Sequence, residues 1–168
     1  MLTDHNRGLP IVRVRLEQDR VIGQEPVNTQ EKAFEYIIRE FSDLDREVFL
    51  ILNLDTACRP INLNVVSMGT LNEAMVHPRE VFKASILSNA SSVICFHNHP
   101  GGDITPSQQD IEVTNRLTEC GKILGIEVAD HLIIGGNSGT YFSFQESARE
   151  NMRTAGMLPQ KKAAERCL

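Results

Sequence analysis

The residues with the most obvious chemistry lie in one stretch, His97-Asn98-His99-Pro100-Gly101-Gly102-Asp103-Ile104-Thr105-Pro106-Ser107-Gln108-Gln109-Asp110. His97 and His99 are two apart, so on an extended chain their side chains point to the same side. Two imidazoles side by side can share one transition metal, and a tetrahedral zinc site with an open position then needs a third protein ligand. Asp110 is the candidate. Thr105 suits an N-cap, Pro106 suits the first helical position, and Thr105-x-x-Gln108 fits a capping box, which together predict a helix from about residue 106. Ser107 and Asp110 are three apart and would share a face of that helix. Gly101 and Gly102 let the chain turn back so that this face meets the histidines. Two His and one Asp suit Zn²⁺, and also Fe²⁺ or Mn²⁺. Each residue also has a plainer explanation: histidines are common in polar loops, and Ser and Asp at a helix start are ordinary capping groups.

The elements that must position these residues follow from periodicity. Ile11, Val12, Val14 and Leu16 partly alternate with charge and suggest an exposed early strand, broken by Pro26. Asn28 with Glu31 reads as a capping signal for a helix over 29–42, in which Ala33, Phe34, Ile37, Ile38 and Phe41 form a core-facing stripe. Val48 to Leu52 and Ile61 to Met68 read as a hairpin around a turn at 55–60. His77-Pro78 opens a helix over about 79–89. Ser92 to Phe96 is a short, nearly all-apolar strand, as expected when both faces are buried. A helix to about 124 ends at Gly125, followed by strands over 128–134 and 140–144 with the Gly-rich loop 135–139 between them. The alternation of strands and helices after an opening hairpin predicts an α/β fold with a central mixed sheet flanked by helices. The domain plan is a leader over 1–27, one domain over 28–145 and a C-terminal tail over 146–168, loose from Pro159 onward.

Composition sets the outer bounds. The chain has 168 residues, 41% apolar and 23% charged, with a net charge of −5. That is ordinary for one globular domain. A broad nucleic-acid surface needs clustered Lys and Arg, which the acidic balance disfavours; Lys161, Lys162 and Arg166 sit in the polar tail. No apolar run is long enough to span a membrane, and the first residues lack the apolar core of a signal peptide, so a cytoplasmic location is expected. Cys58, Cys95, Cys120 and Cys167 form no C-x-x-C pair and are expected as free, mostly buried thiols.

His97-x-His99, seven residues, Ser107, two residues and Asp110 match the pattern H-x-H-x7-S-x-x-D, and here the chain resembles the JAMM metallopeptidase family, whose domain is also called MPN. More specifically it resembles the bacterial RadC-like branch. The likeness extends to Leu44-Asp45-Arg46-Glu47, Gly69-Thr70-Leu71-Asn72, His77-Pro78-Arg79-Glu80, His97-Asn98-His99-Pro100 and Asp130-His131-Leu132-Ile133-Ile134-Gly135, over about residues 28–145. Gly101 departs from the branch, which commonly has Ser there. Only about 28 residues precede the matching stretch, so the branch's N-terminal helix-hairpin-helix region is expected to be missing from this chain.

The resemblance implies a three-layer fold of the kind shared with cytidine deaminases, and a zinc hydrolase with one Zn²⁺ per chain on His97, His99 and Asp110. It also implies an upstream catalytic Glu at the start of a strand. Glu47 occupies that position; Glu73 and Glu80 lie on other segments. On this view Glu47 moves protons between water and the leaving amine, and Ser107 donates a hydrogen bond to the developing oxyanion. The expected substrate is an amide or isopeptide bond in a peptide or protein. Asp130 and His131 match the branch without a ligand role and are expected to support the site or the packing; Asp103 is expected to orient the loop, His77 to start a helix, and His5 to be idle. The alternative is a DNA-repair-associated accessory protein without peptidase activity, which the family's association alone suggests. A zinc deaminase would need H-x-E followed by P-C-x-x-C, which this chain lacks.

Overall fold

The computed structural model describes residues 15–17, 25–41, 44–69, 76–136 and 139–154. The proposed early strand lies outside these residues except at 15–17, which carry no regular structure. His5, Glu73, Cys167 and the basic tail residues also lie outside them, as does the side chain of Phe41.

Among the described residues, nine elements follow in the order α1 (Gln30–Phe41), β1 (Val48–Leu54), β2 (Pro60–Met68), α2 (Pro78–Leu87), β3 (Ser92–Asn98), α3 (Gln108–Leu124), β4 (Glu127–Ile134), β5 (Tyr141–Ser143) and α4 (Phe144–Thr154). The strands form one mixed sheet in the order β2-β1-β3-β4-β5. Among the described strands only β3 and β4 run parallel, and the helix α3 supplies the crossover that a parallel pair needs. The α/β expectation with a central mixed sheet therefore holds.

The sheet separates two apolar clusters. On one face Ala33 and Ile37 of α1 pack against Leu50, Leu52, Ile94, Phe96, Leu132 and Ile134. On the other, Val81 and Phe82 of α2 and Leu117 of α3 pack against Phe49, Ile51, Val93 and Cys95. Helices on both faces leave β1 and β3 buried along their whole length, which is why these strands read as unbroken apolar runs. The hairpin turn is held by Asp55, whose Oδ1 accepts from the N–H groups of Ala57 (2.8 Å) and Arg59 (2.9 Å). Gly125 closes α3 with φ of 70°, a conformation that costs other residues a Cβ clash.

Three sequence expectations change. The cap of α1 is Thr29, whose Oγ1 accepts from the Lys32 N–H (3.2 Å), rather than Asn28. The tail over 146–168 begins within the helix α4, which has few apolar residues to announce it; the part expected to be loose, from Pro159 onward, lies outside the described residues. Cys58 is disulfide-bonded, against the expectation of free thiols; among the described residues Cys95 and Cys120 are free.

Candidate metal centre

The metal ligands proposed from sequence meet where β3 ends. His97 is the sixth residue of β3, paired with Phe49 of β1 on one side and Ile133 of β4 on the other. A strand bonded on both edges cannot shift, so its side chains are fixed in direction. His99 follows just past the strand, and its N–H still bonds the Ile134 carbonyl (2.8 Å), which prolongs the ladder by one step. Its ring Nδ1 lies 2.6 Å from the Asp103 carbonyl. A carbonyl only accepts, so Nδ1 carries the proton and Nε2 presents its lone pair. Asp103 in turn anchors the loop through Oδ1, which accepts from the Thr105 N–H (2.9 Å).

Asp110 arrives from α3, by a capping route different from the expected one. The helix begins at Gln108, its N-cap is Ser107, and the capping box is Ser107 with Asp110 rather than Thr105 with Gln108. Thr105 is taken up in the turn made by Asp103 and does not serve the helix. The Ser107 Oγ accepts from the Asp110 N–H (3.1 Å), while Asp110 Oδ2 accepts from the Ser107 N–H (2.8 Å) and from Ser107 Oγ (2.6 Å). The plain capping explanation thus holds for Ser107 and Asp110, the same two residues that the site expectation names. Capping uses Oδ2 and locks the carboxylate rotamer; Oδ1 accepts no hydrogen bond among the described residues and faces His97 Nε2 at 3.8 Å.

His99 Nε2 stands 3.6 Å from Asp110 Oδ2, and one donor atom from each of His97, His99 and Asp110 lies within 4.8 Å of the others. Separations of 3.6–3.8 Å exceed hydrogen-bond reach. They approach the roughly 3.3–3.5 Å between two ligands that each sit about 2.0–2.2 Å from one tetrahedral zinc ion. The donor set, two imidazole nitrogens and one carboxylate, fits such an ion.

The electrostatics are those of a site built around charge. Burial pulls the Asp110 carboxyl upward, but contacts with His99 and Ser107 outweigh it and hold the group well below the usual carboxylate range. Burial lowers His97, favouring the neutral imidazole that a metal requires. The Asp110 carboxylate raises His99.

Glu47 stands directly before β1 with Oε2 4.0 Å from His97 Nε2 and its side chain half exposed. Sequence reading missed what holds it there. Asn98, fully buried, accepts from the Val48 N–H (2.6 Å) and donates to the Arg46 carbonyl (3.0 Å), gripping the backbone on either side of Glu47. The Gly69 N–H bonds the Glu47 carbonyl from the end of β2 (2.8 Å). The signal available in sequence was a polar residue placed between the two histidines, at a strand position facing the α1 side.

The remaining candidates separate. His77 caps α2, its Nδ1 accepting from the Arg79 N–H (3.1 Å). Glu80 is engaged by Lys83 and Arg79 on the surface of α2. His131 lies buried on β4, with Nδ1 2.7 Å from Thr114 Oγ1 of α3, stacked on Phe144 and tilted against Phe49; burial pulls it down to about 3. Asp130 is also buried, but among the described residues its bonds run to α1, β4, β5 and α4.

A family model described as the RadC-like JAB domain matches residues 27–150. Among curated proteins, the chain is 47% identical over 113 residues to a UPF0758 protein of Geobacillus sp. (strain WCH70), covering 67% of this chain and 50% of the relative. It is 46% identical over 121 residues to a UPF0758 protein of Geobacillus thermodenitrificans, covering 72% and 54%. A UPF0758 protein of Syntrophomonas wolfei is 49% identical over 118 residues, covering 70% and 50%. The chain spans about half the length of the curated relatives it matches.

Proposed function

This chain belongs to the RadC-like JAB-domain family, and from that premise we propose that it is a zinc-dependent hydrolase of the metallopeptidase type, cleaving an amide or isopeptide bond in a peptide or protein substrate. The observation that carries this reading is the convergence of His97, His99 and Asp110 within 4.8 Å, with the Glu47 carboxylate 4.0 Å from His97 Nε2. Zinc bound there supplies a Lewis acid and lowers the pKa of water toward ~7.

The residues of the chain do the rest. Glu47, half exposed at the rim of the site, takes a proton from the attacking water and returns it to the departing nitrogen as the carbon–nitrogen bond breaks. Asn98 keeps the Glu47 backbone in place while that side chain moves protons. Ser107 Oγ exchanges its bond to Asp110 Oδ2 for one to the substrate oxyanion. Asp103 holds His99 in the tautomer whose Nε2 is free.

The test is metal analysis combined with cleavage profiling on peptide and isopeptide libraries. Expected are about one zinc per chain, cleavage abolished by a chelator, and a ~10²–10⁴-fold fall in kcat for Glu47→Gln with zinc content unchanged. Cleavage that survives both the chelator and His97→Ala would overturn the reading.

A further inference from the structure

His131 carries a proton assignment that the fold itself dictates. Thr114 Oγ1 lies 2.6 Å from the Asp110 carbonyl and 2.7 Å from His131 Nδ1. A hydroxyl has one proton. The Asp110 carbonyl can only accept, so that proton is directed to it, and toward His131 the hydroxyl oxygen must accept. Nδ1 therefore bears the imidazole proton. His131 Nε2, sealed from solvent, finds no partner among the described residues. In the neutral ring it is a bare lone pair; a proton there would be a buried, unpaired donor beside the aromatic rings of Phe49 and Phe144, which is costlier still.

The chain of bonds His131 Nδ1–H to Thr114 Oγ1 and Thr114 Oγ1–H to Asp110 O joins two separate supports of the centre. Asp110 sits in the first turn of α3. His131 sits on β4, whose neighbour β3 carries His97. The bond across from α3 to β4 thereby fixes how far the carboxylate ligand stands from the imidazole ligand. The Thr114 bond to its own helix is common in any helix; the added bond to His131 is what ties that helix turn to the sheet.

We propose that His131 and Thr114 are positioning residues for the metal centre, a relay in which the Nδ1–H tautomer of His131 sets the place of Asp110 through Thr114. The proposal rests on the metal reading of His97, His99 and Asp110, and it assigns His131 no contact with the ion.

The experiment measures zinc affinity by competition with a chromogenic chelator in the full chain, for variants that keep or remove each link. Thr114→Val removes both hydroxyl bonds at near-constant volume, and His131→Gln places its amide nitrogen at the Nε2 position, where it cannot serve Thr114. Both should weaken zinc binding ~10–100-fold, the usual range for partners that orient ligands. Thr114→Ser and His131→Asn keep the hydroxyl and the donor at the Nδ1 position, and should restore affinity to within a few-fold of the original. A role in packing alone would lower thermal stability across the His131 variants without this ordering of affinities. Long-range ¹⁵N spectra of the zinc-free protein read the tautomer directly. Protonation at Nε2, or an unchanged affinity in Thr114→Val, overturns the relay. Absence of zinc binding in the unmodified chain overturns the metal reading and the relay's purpose together, and the ¹⁵N spectra then show separately whether the proton assignment stands.

Discussion

Asp110 and Asp130 are both buried carboxylates beside the same sheet, and they end in opposite states. Asp130 is saturated. Its Oδ1 accepts from the His131 and Gln145 N–H groups (2.7 and 3.0 Å), and its Oδ2 from Ser143 Oγ and Gln30 Nε2 (2.6 and 3.3 Å). Those donors come from β4, α4, β5 and α1, so this carboxylate fastens four elements and has nothing left to offer a ligand. Asp110 receives its donors on Oδ2 alone, from one capping residue, and turns Oδ1 toward His97. Burial raises Asp130, whereas the imidazole and serine contacts of Asp110 overcome burial and lower it. What distinguishes the candidate ligand from the fastener here is the direction of the free lone pairs, since both groups are buried and both are hydrogen-bonded.

The sharpest way to break this contrast is to exchange the losses. Asp130→Ala strands up to four donors at ~1–3 kcal/mol each and should destabilise the protein by on the order of 4 kcal/mol in urea unfolding, while the folded fraction keeps its zinc. Asp110→Ala should do the reverse: no stoichiometric zinc by elemental analysis, and a stability cost of only ~1 kcal/mol from the lost cap. A folded Asp130→Ala protein without zinc would erase the division between the two sites.

The two serines give the next largest effect. Ser107→Ala should lower kcat ~10²–10³-fold if its hydroxyl serves the oxyanion, with zinc content retained. Ser143→Ala, which removes one donor from Asp130, should cost ~1 kcal/mol in stability and leave kcat within a few-fold. Equal kinetic damage from both would show that Ser107 acts through stability alone.

The smallest effect is in pH. The folded Asp130 carboxyl is raised above its ordinary value of 3.8, so the native state keeps a proton that the unfolded chain has already released. Its contribution to stability is full below about pH 3.8 and falls as pH rises through the folded value. The lowered Asp110 contributes in the other direction, with stability present above about pH 3.8 and lost as pH falls. Subtracting the urea-unfolding profile of Asp130→Asn from that of the unmodified zinc-free protein should leave a curve that declines with rising pH above about pH 4. A difference curve that rises with pH would reverse the assignment for Asp130.

Much of the scaffold was legible without coordinates. β1 and β3 announced themselves as apolar runs because both of their faces are covered, and α3 was legible through its end at Gly125. The helix α4 was not, since Phe144, Ala148 and Met152 are its only apolar residues and too few to announce an inward face. Nor were the caps at Thr29 and Ser107, because several adjacent residues had the right chemistry and only the local turn chose between them. Among the described residues no helix is long and apolar enough to cross a membrane, as composition also indicated.

For the site itself, the candidate ligand set of His97, His99 and Asp110 was legible in the sequence. The spacing of His97 and His99 on a strand and of Ser107 and Asp110 on a helix follows from local periodicity, which residue order alone sets. Tertiary structure decided everything that depends on meetings between distant segments. Asn98 holds Glu47 across a separation of 51 residues in the chain. His131 reaches Thr114 from β4. Asp130 spends its lone pairs on four elements while Asp110 keeps one oxygen open. Hydrogen bonds are short and directional, so the partner a side chain finds is fixed only once the sheet and helices have placed the two ends together.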